Sequence, residues 1–188
     1  GVEDLGAHDN PAWAFTPLNN FYYIHEPFAP QFDAEGYTEN PTRATGNDCF
    51  TAHPTKDDWY ETIKLNYGVF YQGGGEQQFD PIPDTWHKML HILLFWSSKG
   101  VDGFRCDMAE MVPQAFWNWV IPQVKGQYPH MLFIAEVYNP TLYRDYLAAG
   151  LDYLYDKVDM YDYLRGVTSK NWFVEGIKDQ RQKVDDSR

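Results

Sequence analysis

Val101-Asp102-Gly103-Phe104-Arg105-Cys106-Asp107 and, further along, Met131-Leu132-Phe133-Ile134-Ala135-Glu136 decide the reading of this chain. Each is a short, largely apolar run that ends in an acid. Side chains alternate between faces along a strand, so Arg105 and Asp107 point one way while Phe104 and Cys106 point the other. In the second run Leu132, Ile134 and Glu136 share a face, and the near-continuous apolar character predicts a strand buried on both sides. Between the two runs lies a predicted helix. Pro113 stands near its first turn, Phe116, Trp119 and Val120 form its apolar face, Gly126 ends it, and Pro122 is expected to bend or shorten it. From Asp107 to Glu136 is 29 positions, close to one strand–helix–strand unit. Consecutive parallel strands of such units lie side by side, about 4.8 Å apart. Two acids at matching strand ends are then expected roughly 5 Å apart, the separation of retaining rather than inverting glycoside hydrolysis.

That chemistry needs one carboxylate ionised to attack an anomeric carbon and another carrying a proton for the leaving oxygen. Arg105, two residues from Asp107 on the same face, is placed to keep Asp107 ionised. Glu136, preceded by Phe133 to Ala135, is expected to have a raised pKa and to act as general acid. A plainer reading uses the same residues: an Arg105–Asp107 salt bridge closes a barrel end, and Glu136 is a solvated strand terminus. Spacing alone leaves both open.

Outward from this unit the helix–strand alternation continues. Asp84 can cap a helix whose apolar residues Trp86, Met89, Leu90, Leu93 and Trp96 recur at helical spacing, with Gly100 beyond its end. Thr62 to Tyr67 alternates like a half-buried strand, and Gly73-Gly74-Gly75 makes a flexible break. Thr141 to Ala149 reads as a third helix, Leu151 to Tyr155 as another short strand, and the remainder through Val184 as polar helix. Strands alternating with helices imply parallel pairing and an α/β fold. Residues 1–58 are different. Their prolines, glycines, Asn and Asp break every period, yet Phe15, Phe21, Tyr22, Tyr23, Phe28 and Phe32 give them the apolar area that disordered segments lack. They read as an ordered, irregular excursion lobe, and residues 59–188 as the α/β part.

Net charge −12 over 188 residues excludes a nucleic-acid partner, whose phosphates need clustered Lys and Arg, and disfavours an anionic membrane surface. No apolar run approaches the ~18 residues of a membrane span. A neutral, polyhydroxylated ligand suits an acidic chain that is 18% aromatic. Cys49 and Cys106 make no disulfide framework and no zinc motif, and two free thiols are the expected state. The chain opens at Gly1-Val2-Glu3 and reads as a piece of a longer polypeptide, so its first residues assign no compartment.

Gly103-Phe104-Arg105-Cys106-Asp107 resembles the G-F-R-x-D segment of the α-amylase family of glycoside hydrolases, and Phe133-Ile134-Ala135-Glu136-Val137 resembles that family's following segment, which ends in the catalytic Glu. Order, distance and strand context agree, and the resemblance is clear from about residue 59 to 165. It implies part of a (β/α)8 TIM barrel, about four strand–helix units, since a closed barrel takes about 250 residues. The irregular lobe, residues 1–58, would be the excursion after the third barrel strand. It also implies a parent enzyme that cleaves α-glucosidic bonds of starch-like glucans with retention, with Asp107 as nucleophile, Glu136 as general acid/base and Arg105 beside the nucleophile. A transglycosidase or isomerase of the same family is an alternative. So is a non-catalytic glucan-binding scaffold, although such relatives usually lose one of the two acids.

The departures matter as much. The family's earlier Asn-His pair is absent, and nothing beyond residue 165 matches the later His-Asp that supplies the third acid. His8-Asp9 lies upstream of the nucleophile and is rejected for that role. Where many members carry Lys-His after the nucleophile, this chain has Glu110-Met111. These two become candidate substrate contacts, with Tyr138, which shares Glu136's face, and with Phe21 and Tyr22 of the lobe. Tyr23, Phe70, Tyr71 and Trp117 are further rings that can stack on sugars, while Trp119 is assigned to the core. Lacking the third acid and the strands that close a cleft, the fragment alone is expected to be inactive, and its open edge to self-associate or to take up the missing barrel segments. Some family excursions help hold calcium, for which Asp33, Glu35, Asp48, Asp57 and Asp58 could supply oxygen ligands. They lack EF-hand spacing and read as a solvated acidic loop. No residue is assigned to a metal. A polymer-degrading parent would fit an extracellular or periplasmic setting.

Overall fold

The computed structural model describes residues 3–187, with side chains through residue 182; Gly1 and Val2 lie outside the described residues. The chain forms two compact units, Gly1–His91 and Ile92–Arg188.

In the first unit regular pairing is sparse. β1 (Tyr23–Ile24) pairs antiparallel with β2 (Thr42–Arg43), and β3 (Val69–Phe70) with β4 (Glu76–Gln77). Buried backbone groups need partners, and in this ladder-poor segment buried asparagines supply them. Asn20 accepts from Gly6 N and Lys88 Nζ and donates to Asp84 and Thr85. Asn66 donates to the carbonyls of Thr16 and Asn19 and accepts from Gly68 N. Among the described residues no buried side-chain polar atom lacks a partner. Around this framework Phe15 stacks with Tyr22 and Phe70, while Phe50 and Tyr71 meet the Tyr22 ring edge to face.

The expected strand over Thr62–Tyr67 is reduced to two isolated bridges, Phe21 with Leu65 and Thr45 with Ile63. Its facing is also altered, for Lys64 and Asn66 are buried while Ile63 is exposed, although Tyr67 is buried as expected. Lys64 pairs with Asp48 and lies over the Tyr71 ring, and Asn66 bonds backbone. Partnered polar groups therefore take the places that hydrophobicity assigned to apolar ones. The three glycines form a defined turn, with Gly74 and Gly75 at positive φ between β3 and β4.

α1 (Asp84–Ser97) leads out of this unit. Its stripe is buried at Trp86, whereas Trp96 is 51% exposed, contrary to the expected continuous apolar face.

The second unit is a parallel α/β arrangement. β5 (Gly103–Cys106), β6 (Leu132–Glu136) and β7 (Tyr153–Tyr155) form one sheet in that order. α2 (Gln114–Gln127) connects β5 to β6, and α3 (Tyr143–Ala148) connects β6 to β7. After β7 come a π-helical turn (Lys157–Tyr161), α4 (Asp162–Lys170) and α5 (Gly176–Ser187). α2 runs through Pro122 without ending; Phe116, Trp117, Val120, Ile121 and Val124 bury its inner face. Phe133 and Ala135 in β6, and Val137 just after it, are fully buried on one face, while on the other Leu132 is 41% exposed and Ile134 and Glu136 are half-buried, so the strand is fully buried on one side only.

Two details fix the register. A Cβ on Gly103 would lie 2.5 Å from the Leu132 carbonyl oxygen, so only glycine permits this approach of β5 to β6. Lys125, in the last turn of α2, reaches Gly150 O at 3.1 Å and both Asp152 oxygens at 2.8 Å, and Asp152 Oδ2 accepts from Phe133 N at 2.8 Å. One buttress thus joins the end of α2 to the starts of β6 and β7.

Candidate active site

β5 and β6 align Cys106 with Ala135 and Arg105 with Ile134. Continuing that register sets Asp107 beside Glu136, both on the face opposite the buried Cys106 and Ala135. The Arg105 guanidinium joins them: Nη1 contacts Asp107 Oδ1, and Nη2 donates to Glu136 Oε2 at 3.0 Å. Two like charges at neighbouring strand ends repel, and one forked cation offsets that repulsion. It raises Arg105's own pKa, chiefly through the bond to Asp107. The acids differ in setting, for the Asp107 side chain is 66% exposed and that of Glu136 only 14%.

Glu136 accepts two further hydrogen bonds, from Tyr138 Oη to Oε1 at 2.8 Å and from Met108 N to Oε2 at 3.3 Å. Met108 has a left-handed backbone (φ 44°), the turn by which the chain leaves β5 and presents this amide. Donors to the charged form favour it. Glu136 accordingly lies below the ordinary glutamate value, first through Tyr138, with burial opposing and the Met108 amide assisting. The expected upward shift is therefore corrected: apolar neighbours along the strand do not outweigh convergent donors. In return Tyr138 is pushed up by its bond to Glu136.

Glu110 is not a free carboxylate. Its Oε2 accepts from the backbone N–H of both Tyr138 and Asn139, each at 3.0 Å, so the carboxylate is engaged with the β6–α3 loop. Met111 is half-buried in the same 3-10 turn, Ala109–Met111. Tyr155 was missed by sequence reasoning. It stands opposite Glu136 in the β6–β7 register, 45% exposed, with its ring 5.8 Å from Arg105 Cζ. Parity in the expected Leu151–Tyr155 strand was the signal that could have found it.

Phe21 and Tyr22 belong to the first unit. Tyr22 is fully buried, its hydroxyl donating to Val69 O at 2.8 Å and its pKa raised by burial. It is a core residue and offers no ring face to a sugar. Phe21 is half-buried under Arg43, whose Cζ lies 5.3 Å from the ring centre. Trp117, another candidate ring, is also buried and donates to Ala109 O. Cys49 and Cys106 are free thiols; burial pushes Cys106 up to about 12 and keeps it unreactive. Asp9 is occupied within the first unit, accepting from Asn20 N, Phe21 N and Tyr23 Oη. Among the described residues no three His, Cys, Asp or Glu side chains gather as a metal site. Asp48 pairs with Lys64, Asp58 accepts from Thr55 and Asn47, and Asp33 accepts from Glu35 N.

No family model matches the chain. It is 30% identical over 136 residues to the alpha-1,4-glucan:maltose-1-phosphate maltosyltransferase of Cereibacter sphaeroides, covering 68% of this chain and 21% of that protein. The enzyme of the same name from Mycolicibacterium smegmatis is 39% identical over 70 residues, 37% of this chain and 10% of that one. Among solved structures, an alpha-amylase from Lactobacillus plantarum matches with a TM-score of 0.50 at 27% identity, over 68% of this chain and 30% of its own. Cyclic alpha-maltosyl-(1→6)-maltose hydrolase from Arthrobacter globiformis, ligand-free, shares the fold with a TM-score of 0.55 at 17% identity, over 82% and 29%. The chain thus spans about a fifth or less of the length of these curated relatives.

Proposed function

We propose, because this chain belongs to the α-amylase family of glycoside hydrolases as a partial segment of it, that the protein containing it cleaves α-glucosidic bonds of starch-like glucans through a covalent glycosyl-enzyme intermediate. The observation that carries this is the β5–β6 register, which pairs Asp107 with Glu136 under one guanidinium. The exposed Asp107 attacks the anomeric carbon as the glycosidic C–O bond breaks, and Glu136 gives its proton to the leaving oxygen. Glu136 then takes a proton from water, whose oxygen displaces Asp107 from the sugar.

The downward-shifted Glu136 suits the second, base-catalysed half. For the first half, a glucan lying over it adds desolvation, which favours the protonated form. Roughly four strand–helix units of the barrel lie in this chain, with residues 1–58 as the excursion after the third barrel strand. The third acid and the closing strands come from elsewhere in the protein, so the 188-residue chain alone is inactive.

One observation favours a second reading within the same mechanism: the curated relatives above are named as maltosyltransferases. There a glucan hydroxyl, instead of water, takes the sugar from Asp107. Asp107→Asn in the full-length protein separates catalysis from scaffolding. Its turnover of maltooligosaccharides should fall at least about a thousandfold; unchanged turnover would show that Asp107 is not the nucleophile, and glucan binding without turnover in the wild type would support a glucan-binding scaffold. Chromatography of the wild-type products then separates shortened chains, from hydrolysis, from lengthened ones, from transfer.

A further inference from the structure

Glu110 stands three residues after Asp107, in the 3-10 turn that follows β5. Its Oε2 takes the N–H of Tyr138 and the N–H of Asn139, both at 3.0 Å. The side chain therefore spans from the loop after β5 to the loop after β6. A carboxylate that accepts two successive amides holds the peptide between them in one orientation, and the first of those amides belongs to Tyr138. The Tyr138 hydroxyl, in turn, donates to Glu136 Oε1 at 2.8 Å. We propose that Glu110 is a positioning residue that, by gripping the Tyr138 and Asn139 amides, holds the Tyr138 hydroxyl on the acid/base Glu136. The inference rests on the reading of Glu136 as acid/base for its catalytic meaning, but its test reads geometry directly.

The groups around Glu136 come from three strand ends. Arg105 lies near the end of β5, Asp107 and the Met108 amide follow it, Tyr138 follows β6, and Tyr155 lies opposite on β7. Lys157 lies 5.8 Å from the Tyr138 ring. Within this set Tyr138 is the donor with the largest hold on the Glu136 charge. Removing a positioning residue and removing a charge have opposite signs here. Loss of the Glu110 negative charge by itself would make Glu136 easier to ionise, since like charges disfavour each other. Loss of the Tyr138 hydroxyl makes Glu136 harder to ionise.

The experiment is an NMR titration of the Glu136 carboxyl carbon in the wild-type protein and in Tyr138→Phe, Glu110→Ala and Glu110→Gln. Tyr138→Phe should shift the midpoint upward. Glu110→Ala should shift it upward too, with no further rise in the double variant. Glu110→Gln keeps a carbonyl acceptor for the two amides and should stay near wild type. A downward shift in both Glu110 variants would show that Glu110 acts through charge alone and overturn the proposal. An unmoved midpoint in Glu110→Ala, with Tyr138→Phe shifted, would overturn it as well. Should Glu110→Ala fail to fold, Glu110→Ser, whose side chain is too short to reach the Tyr138 and Asn139 amides, takes its place: its Glu136 midpoint should rise, and an unmoved or lowered midpoint would overturn the proposal. None of these results depends on turnover, so failure here leaves the roles of Asp107 and Glu136 untouched.

Discussion

Arg105 is the residue on which the site's electrostatics turn, since it alone among the described side chains pairs with both Asp107 and Glu136. Arg105→Ala should lower kcat of the full-length protein roughly a hundred- to a thousandfold, the loss typical of one removed charge-stabilising donor. Steady-state kinetics check it; a change confined to KM would contradict the role. Glu136 also links the site to acid stability. Its folded pKa lies below the ordinary glutamate value. The stability its ionised form contributes is therefore present above about 4.5, its ordinary value, and is lost as pH falls through the lower folded value. Wild type should lose stability relative to Glu136→Gln as urea melts are taken from neutral pH into that acid range; a pH-independent difference would contradict it. That Asp107, Glu136 and Arg105 lie together on one face was legible in the sequence, because strand parity and one unit's spacing are local quantities. The protonation balance of Glu136 was not, because Tyr138 and the Met108 amide are aimed by loop geometry that no periodicity encodes.

At the scale of elements, the parallel order of β5, β6 and β7 followed from alternating strand and helix signals, and each appears where its apolar run lies. The Thr62–Tyr67 alternation misled because Lys64 and Asn66 are buried with partners. Pro122 was expected to shorten α2, yet the buried face of Phe116, Val120, Ile121 and Val124 carries the helix through it; tertiary packing outweighs one missing hydrogen bond. Two substitutions test how the sheet is held. Gly103→Ala should destabilise the protein by about 1–3 kcal/mol in denaturant melts, because the new Cβ meets backbone of β6. Asp152→Ala should cost about 1–3 kcal/mol, since it leaves Lys125 and the Phe133 amide without this acceptor. A melt unchanged by either would show that the register is fixed elsewhere.

For the whole molecule, the sequence read as part of a larger architecture, and the surface agrees. On α1, Ile92, Phe95 and Trp96 are exposed, and further along Val158, Leu164, Phe173 and Val174 are exposed as well. β5 and β7 have no outer partner among the described residues. Exposed apolar area and unpaired strand edges promote association. The 188-residue chain should sediment as growing oligomers when its concentration is raised, and a single monomeric species throughout would contradict this. The expected count of about four barrel units came from chain length and the family resemblance, because spacing reports neighbours and not closure. In the proposed chemistry Asp107 attacks sugar while Glu136 shuttles the proton. Mass spectrometry of the full-length protein, digested after reaction with a fluorinated glucosyl fluoride that stalls deglycosylation, tests it most directly. One added fluoroglucosyl group is expected on Asp107, lost in Asp107→Asn; a label on another carboxylate, with Asp107 unmodified, would rule Asp107 out as the nucleophile.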